Sequence, residues 1–257
     1  MTVATVRNND RGMNEISSPV TRLVAPAKLT IGLRITGIRA DGFHLIESEM
    51  VTLDLIDRLE ISDGDSLEVM DALTGATHEI GAGDDNLVRR ALQLVGRTAR
   101  VRLFKSIPPG AGLGGGSADA AAILRWAGFD DLEAASALGA DVAFCLVGGR
   151  ARVSGIGEVV EPLAFEERTF TLWTPPFGCS TPAVYRMWDE LGGPEGDLGN
   201  DLEAAALVVQ PRLAQWRDRL ADISGQRPRL AGSGSTWFVD GAYPGDGRVV
   251  ARTTPRS

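Results

Sequence analysis

Residues 107–126 read IPPGAGLGGGSADAAAILRW, with five glycines in the seven positions 110–116 and a run of small, helix-favouring residues behind them. Upstream, ARVRLFKSI sets Val101, Leu103 and Lys105 in alternation with Arg102, Phe104 and Ser106, the pattern of a strand. Downstream, SADAAAILRWAG predicts a helix with Ser117 as N-cap, Asp119 in the first turn and a stop at Gly128. A flexible linker is usually flanked by further serine and polar residues, whereas this loop joins a strand to a helix. In that setting glycines let backbone amides approach a ligand, and the helix aims its unpaired N–H groups and positive dipole end at the same spot. The stretch is therefore an anion site, most readily for phosphate; the alternative is a tight crossover that binds nothing.

Two familiar phosphate loops fit poorly. The Walker pattern ends in Gly-Lys-Ser/Thr, but Gly116, Ser117 and Ala118 contain no lysine. Gly110, Gly112 and Gly115 satisfy G-x-G-x-x-G, yet a dinucleotide fold needs a second strand ending in an acid about twenty residues on, where DDLEAASALGADV reads as helix.

A chain of 257 residues is long enough for one large or two smaller cored domains. The first stretch, MTVATVRNNDRGMNEISSPV, is polar with no apolar h-region, so residues 1–21 are expected to be a disordered tail and no signal peptide. No apolar run is long enough for a bilayer, and the net charge of −8 argues against nucleic acid or an anionic membrane as the main partner. Cys145 and Cys179 form no CxxC pair, have no histidine beside them, and read as two buried thiols; no metal ligands are assigned and a cytoplasmic location is expected. Lysine occurs only at 28 and 105 in an arginine-rich chain, and both fall in motif-like stretches.

Along the chain, VAPAKLTIGLRITG (24–37) has strand character, and DGFHLIESEMVTLDLIDRLEIS holds a turn and a further strand. A loop and a helix starting near Asp85 come next, then the strand, the glycine loop and its helix. Residues 139–163 read as a short capped helix and a hairpin around Gly155–Gly157. Past residue 164 the pattern starts afresh with RTFTLWTPP as strand, a helix around TPAVYRMWDEL, the helical NDLEAAALVVQPRLAQWRDRLAD, and strands around RLAGSGSTWFVD. Two mixed domains, 22–163 and 164–257, are the simplest partition.

The order APAKLT, RADGFHLIES, PPGAGLGGGSADAAA, GADVAF, AGSGST resembles the superfamily of galactokinase, homoserine kinase, mevalonate kinase and phosphomevalonate kinase over residues 22–240. Within it the match is nearest to the 4-diphosphocytidyl-2-C-methyl-D-erythritol kinases of non-mevalonate isoprenoid (terpenoid) biosynthesis, the methylerythritol phosphate pathway. The resemblance implies a two-domain α+β fold: an N-terminal mixed α/β domain like ribosomal protein S5 domain 2 and a ferredoxin-like C-terminal domain. The latter is trimmed here, since GAYPGDGRVVARTTPRS stands where relatives place a helix before the last strand.

The same resemblance implies ATP, with Mg2+, over Pro109, Gly110, Ala111, Gly112, Leu113, Gly114, Gly115, Gly116, Ser117, Ala118 and Asp119, with Lys105 near the nucleotide. Ser117 is the one residue in view as an oxygen donor to the metal. It implies Asp141 as the acceptor of the substrate hydroxyl proton and Lys28 as the cation holding both that carboxylate and the incoming oxygen. Taken alone, Asp141 also reads as a helix cap, Lys28 as a solvated edge residue and Lys105 as a surface charge. Phe43 and His44 match an aromatic–histidine pair for cytosine, with Phe43 in place of the usual tyrosine; His44 alone also reads as a structural histidine. Thr30 stands where asparagine is usual and keeps an oxygen but loses an amide donor. Gly232, Ser233 and Gly234 of AGSGST, otherwise a hairpin turn, and Thr181 are implied in the substrate cleft. The partner is a small molecule, the cytidine diphosphate-linked methylerythritol, and the chain a monomer or homodimer. The alternatives are a kinase of the same fold for homoserine, mevalonate or a sugar, and a nucleotide-binding relative without catalysis.

Overall fold

Strands β1 (Thr21–Ile38) and β2 (His44–Ser62) form a long antiparallel ladder, the spine of the molecule. The computed structural model describes residues 20–78 and 83–256. The tail expected at 1–21 therefore lies outside the described residues, except for Val20 and for Thr21, which already begins β1. On its other edge β2 pairs with β5 (Arg100–Lys105) through its C-terminal half and with β6 (Arg150–Gly155) through its N-terminal half. The sheet is completed by β3 (Ser66–Asp71), parallel to β5, by β4 (Thr77–His78) and by β7 (Val159–Pro162). Strand β3 was not anticipated: SLEVMD is too short for a clear alternation, and its pairing partner lies more than thirty residues away.

One face of this sheet carries α1 (Leu87–Leu94), α2 (Gly115–Ala127), α3 (Leu132–Leu138) and α4 (Val142–Val147). Helix α2 is buried almost all round, and its alanines let it sit close to β1, α1 and α4; Gly128, left-handed at φ 73°, ends it as expected. Asn86 caps α1 by accepting from Val88 N, and Asp131 caps α3 by accepting from Ala134 N.

The second sheet runs β11–β8–β10–β9, all antiparallel neighbours, from β8 (Thr169–Trp173), β9 (Arg229–Leu230), β10 (Trp237–Asp240) and β11 (Arg248–Arg252). With α5 (Thr181–Glu190), α6 (Glu203–Val209) and α7 (Leu213–Ser224) between β8 and β9, this is the ferredoxin-like order. The continuous helix expected across NDLEAAALVVQPRLAQWRDRLAD is broken at Gln210–Pro211, because proline supplies no N–H and pushes its predecessor out of the helical region. Between β10 and β11, residues 241–247 replace a helix. Parallel strands usually need a crossover of a dozen or more residues. Here the short crossing is pinned by buried Thr171, whose hydroxyl donates to Gly241 O and accepts from Tyr243 N at 2.8 Å each.

The seam between the sheets is apolar. Phe170, Leu172, Phe238 and Ala251 pack on Ala27, Leu29, Ile31, Val51, Leu53, Ile107 and Leu113, all buried. Burying one such large side chain contributes about 1.5–3 kcal/mol, so the seam holds the two sheets, and the cleft between them, in one arrangement. A register shift between Pro26 and Lys28 separates Ala25, which packs in the core below α2, from Ala27, Leu29 and Ile31 in the seam. By the two-residue period of a strand, Lys28 and Thr30 then face away from the seam.

Candidate active site

Lys28 is 5 % exposed, so it is no solvated edge residue. Its ammonium lies 3.1 Å from Asp141 Oδ2 and donates to Thr30 Oγ1 at 3.0 Å. Asp141 occupies the N-cap position of α4 but makes no side-chain cap hydrogen bond there; its carboxylate is turned to the ammonium instead. Two residues more than a hundred positions apart thus meet at the floor of a cleft of about 660 Å³, which both of them line. Lys28 has three donors, and two are committed, leaving one for a ligand.

The glycine loop is held against this pair. Lys28 N donates to Leu113 O at 3.0 Å, and Thr236 N to Ala111 O at 3.1 Å. Ala111 and Leu113 are buried, so alternate residues of the loop anchor it while Gly110, Gly112 and Gly114 make its left-handed bends at φ 67°, 78° and 67°. Helix α2 begins at Gly115, with Gly114 in the N-cap position. This corrects the sequence reading: Ser117 is the third residue inside the helix and does not cap it. Its glycine-rich entry needs the left-handed conformation that serine avoids. The first i→i−4 bond is Ala118 N to Gly114 O, so the amides of Gly115, Gly116 and Ser117 have no backbone acceptor among the described residues. Three adjacent unpaired donors at the positive end of a 13-residue helix fit an anionic group.

Asp119 is also displaced from its expected place. It is the fifth residue of α2, not part of the first turn, and is 3 % exposed, pointing into the protein. There it accepts from Lys105 Nζ at 2.6 Å, and Lys105 also pairs with buried Asp57, which takes the N–H groups of Ser106 and Ile107. Lys105 is accordingly not a surface charge. Its ammonium sits 3.1 Å from where a Cβ on Gly115 would lie, directly under the start of α2. Burial, aided by repulsion from Asp57, outweighs the attraction of Lys105 and pushes the Asp119 carboxyl up to about 7; its Oδ1 has no hydrogen-bond partner among the described residues. The folded state then holds a proton that the unfolded chain releases near the ordinary carboxylate value, so this group's contribution to stability falls as pH rises from about 4 to 7. Asp119→Asn is expected to remove that slope: compared by urea unfolding, the variant should gain on the native chain across this interval and run parallel to it above pH 8.

The opposite wall of the cleft comes from α5 and the start of β2. Phe43, His44, Thr181, Tyr185, Arg186, Asp189, Gly232 and Ser233 all line it. Phe43 is 56 % exposed with the Arg39 guanidinium 5.4 Å from its ring centre. His44 Nε2 is 2.8 Å from Asp189 Oδ1, and its ring lies 4.8 Å from Tyr185 and 5.6 Å from Trp188, centre to centre. Burial, with Asp141 nearby, raises the Tyr185 phenol, which stays a donor. The hydroxyls of Thr181 and Ser233 are 2.8 Å apart. Gly232 backs onto Lys28 Nζ and Thr30 Oγ1, both 3.8 Å from a Cβ built there. Gly234 does not line the cleft; its carbonyl covers Gly112, where a Cβ would sit 2.8 Å from it and 2.5 Å from Ala231 O. Of the glycine loop only Gly112 lines the cleft, so Pro109, Gly110, Gly116 and Ser117 belong to its neighbouring surface. Cys145 is a buried thiol pushed up to about 12 by burial, while Cys179 is only half-buried.

Sequence reasoning missed Asp57, Tyr185, Arg186 and Asp189. The last three all lie on α5, and only the i, i+4 spacing of Tyr185 and Asp189 hinted at a built surface there.

A glycine loop opening a buried helix, a buried lysine paired with a cleft aspartate, and a ferredoxin-like second sheet define a small-molecule kinase of the GHMP type, and residues 86–149 match the GHMP kinases N terminal domain. The chain is 39 % identical to 4-diphosphocytidyl-2-C-methyl-D-erythritol kinase of Paracoccus denitrificans (strain Pd 1222), over 84 % of this chain and 85 % of that protein. It is 36 % identical to the enzyme of that name from Pelotomaculum thermopropionicum, over 85 % and 88 %. A crystal structure of 4-(cytidine 5'-diphospho)-2C-methyl-D-erythritol kinase superposes with a TM-score of 0.70 at 30 % identity, over 90 % of this chain and 98 % of that one. The chain belongs to the 4-diphosphocytidyl-2-C-methyl-D-erythritol kinase family.

Proposed function

We propose that this chain transfers the γ-phosphoryl group of ATP to the 2-hydroxyl of 4-diphosphocytidyl-2-C-methyl-D-erythritol, a step of non-mevalonate isoprenoid biosynthesis. The observation that carries the reading is the Lys28–Asp141 pair, 3.1 Å apart at the floor of a cleft whose far wall is Phe43, His44 and Tyr185. An aromatic face and a ring nitrogen are the tools that recognise a flat base.

In this reading the ATP phosphates rest on the free amides of Gly115, Gly116 and Ser117, with the Lys105 ammonium beneath supplying positive charge. The acceptor oxygen attacks the γ-phosphorus, the bond from phosphorus to the β–γ bridging oxygen breaks, ADP leaves, and the hydroxyl proton passes to Asp141. Lys28 holds the Asp141 carboxylate in its ion pair, and its third N–H meets the attacking oxygen. Thr30 holds the ammonium by its hydroxyl, so this departure from asparagine preserves an oxygen ligand for the cation. Mg2+ would offset phosphate charge and be held chiefly by ATP itself, with the Ser117 hydroxyl as the side chain of this chain placed to add an oxygen. The chain acts on a small molecule; among the described residues no helix is long and apolar enough to cross a membrane. We place the polypeptide in the cytoplasm, as a monomer or homodimer.

The acceptor also carries two phosphates. Among the basic side chains lining the cleft, Lys28 is committed to Asp141 and His44 to Asp189, whereas Arg186 has no ion-pair partner among the described residues. A guanidinium fork suits a diphosphate. Arg186→Gln is expected to raise KM for the cytidylyl acceptor about tenfold or more, with kcat and KM for ATP within about twofold of the native values.

The test is an acceptor panel with ATP: turnover of the cytidylyl compound and not of homoserine, mevalonate or galactose is expected. Turnover of one of those three in its place would assign the chain to another alcohol.

A further inference from the structure

His44 opens β2, and its ring is enclosed by residues of α5 that are 141–145 positions distant. Tyr185, Trp188 and Asp189 follow the i, i+3, i+4 spacing of one helix face, and all three touch the imidazole. Trp188 is itself fixed, donating from Nε1 to Pro194 O at 2.9 Å. The side chain of His44 is 12 % exposed, and that of Asp189 is 41 % exposed, at the rim of the cleft.

A carboxylate only accepts, so the 2.8 Å contact from Asp189 Oδ1 requires the proton of the neutral ring to be on Nε2. The other ring nitrogen, Nδ1, has no partner among the described residues and is then a bare acceptor. An acceptor facing a pyrimidine pairs with an exocyclic amine at position 4 and opposes a carbonyl there. A buried mismatch of two acceptors leaves both unpaired, which is the strong form of discrimination between otherwise similar ligands.

We infer that Asp189 is a specificity-positioning residue: by holding His44 in the Nε2–H tautomer it makes the cleft select a 4-aminopyrimidine nucleoside diphosphate over its 4-oxo counterpart. This deepens the kinase reading above and rests on it. Asp189 touches no reacting group; it acts through His44.

The experiment uses full-length protein, with CDP and UDP as competitive inhibitors against the cytidylyl acceptor, for the native chain and for Asp189→Ala and Asp189→Asn. CDP is expected to bind the native chain about tenfold or more tightly than UDP. Asp189→Ala should bring the ratio towards one. Asp189→Asn, whose amide can either accept or donate, should fall between. A purely structural role for Asp189 would weaken CDP and UDP binding equally and keep their ratio, which would overturn the inference while leaving the kinase assignment standing. A native chain that binds neither nucleotide overturns both. The chain has two histidines, so nitrogen-15 histidine spectra, with His78→Gln for assignment, read the tautomer directly. A protonated Nε2 and bare Nδ1 in the native protein, lost in Asp189→Ala, are expected; a native Nδ1–H form would also overturn the inference.

Discussion

Asp141→Asn is expected to lower kcat by about 10²–10⁴-fold, the usual worth of a positioned general base, while the affinity for ATP changes by less than about twofold. The substitution keeps size and a carbonyl oxygen within reach of Lys28, so the cleft stays open and the ammonium stays near its place. What is lost is the group that takes the hydroxyl proton. The ammonium also loses its anionic partner in a setting where only 6 % of its side chain is exposed, so stability should fall by about 1–3 kcal/mol. Steady-state kinetics with ATP and the cytidylyl acceptor, beside ATP binding by titration calorimetry, separate the two effects. An Asn variant that turns over at the native rate would remove Asp141 from its role as base.

Gly114→Ala should be nearly as damaging by a different route. A Cβ at 114 would lie 2.6 Å from Lys28 Cγ and 3.0 Å from Cε, so the lysine stem must move, and its ammonium with it. The residue is also left-handed, which costs a non-glycine side chain about 1–2 kcal/mol. Gly110→Ala supplies the control. Its φ is the same, 67°, but the nearest atom to an added Cβ is Gly178 Cα at an ordinary 3.6 Å. Both variants should lose similar stability from the backbone conformation, and only Gly114→Ala should lose about 10²-fold or more in kcat, as misplacement of a catalytic group does. Equal kcat in the two would mean that Lys28 tolerates the displacement and that the loop does not position it.

The charge cluster under α2 shows why the two lysines matter unequally. Lys28 reaches the cleft, whereas Lys105 is spent on Asp57 and Asp119, one beneath each end of the strand-to-helix connection. Lys105 therefore acts on a bound anion through its field and through the fixed position of Gly115, and Asp119 moderates that field according to whether it holds its proton.

Much of this was legible without coordinates because it is local. The alternation of residues 101–105, the glycines at 110, 112 and 114, the small-residue helix to Gly128 and the hairpin at Gly155–Gly157 each depend on backbone sterics within a few residues, and those are encoded where they act. Even so, the start of α2 was misplaced by taking Ser117 for a cap, since serine's local preference yields where Gly114 takes the left-handed turn that opens the helix. Motif order also brought Lys28, Asp141, Phe43 and His44 forward by resemblance. Tertiary structure alone decided the rest. That Lys28 is buried and meets Asp141, that Asp119 turns inward to Lys105, that α5 encloses His44 with Tyr185, Trp188 and Asp189, and that Gly234 covers Gly112 are consequences of strand pairing and of the apolar seam between sheets. Contacts between separate elements, 14 residues apart for Asp119 and Lys105 and more than a hundred for the others, have no local period to announce them, so a chain read residue by residue names the chemical groups and only the packed fold brings them into contact.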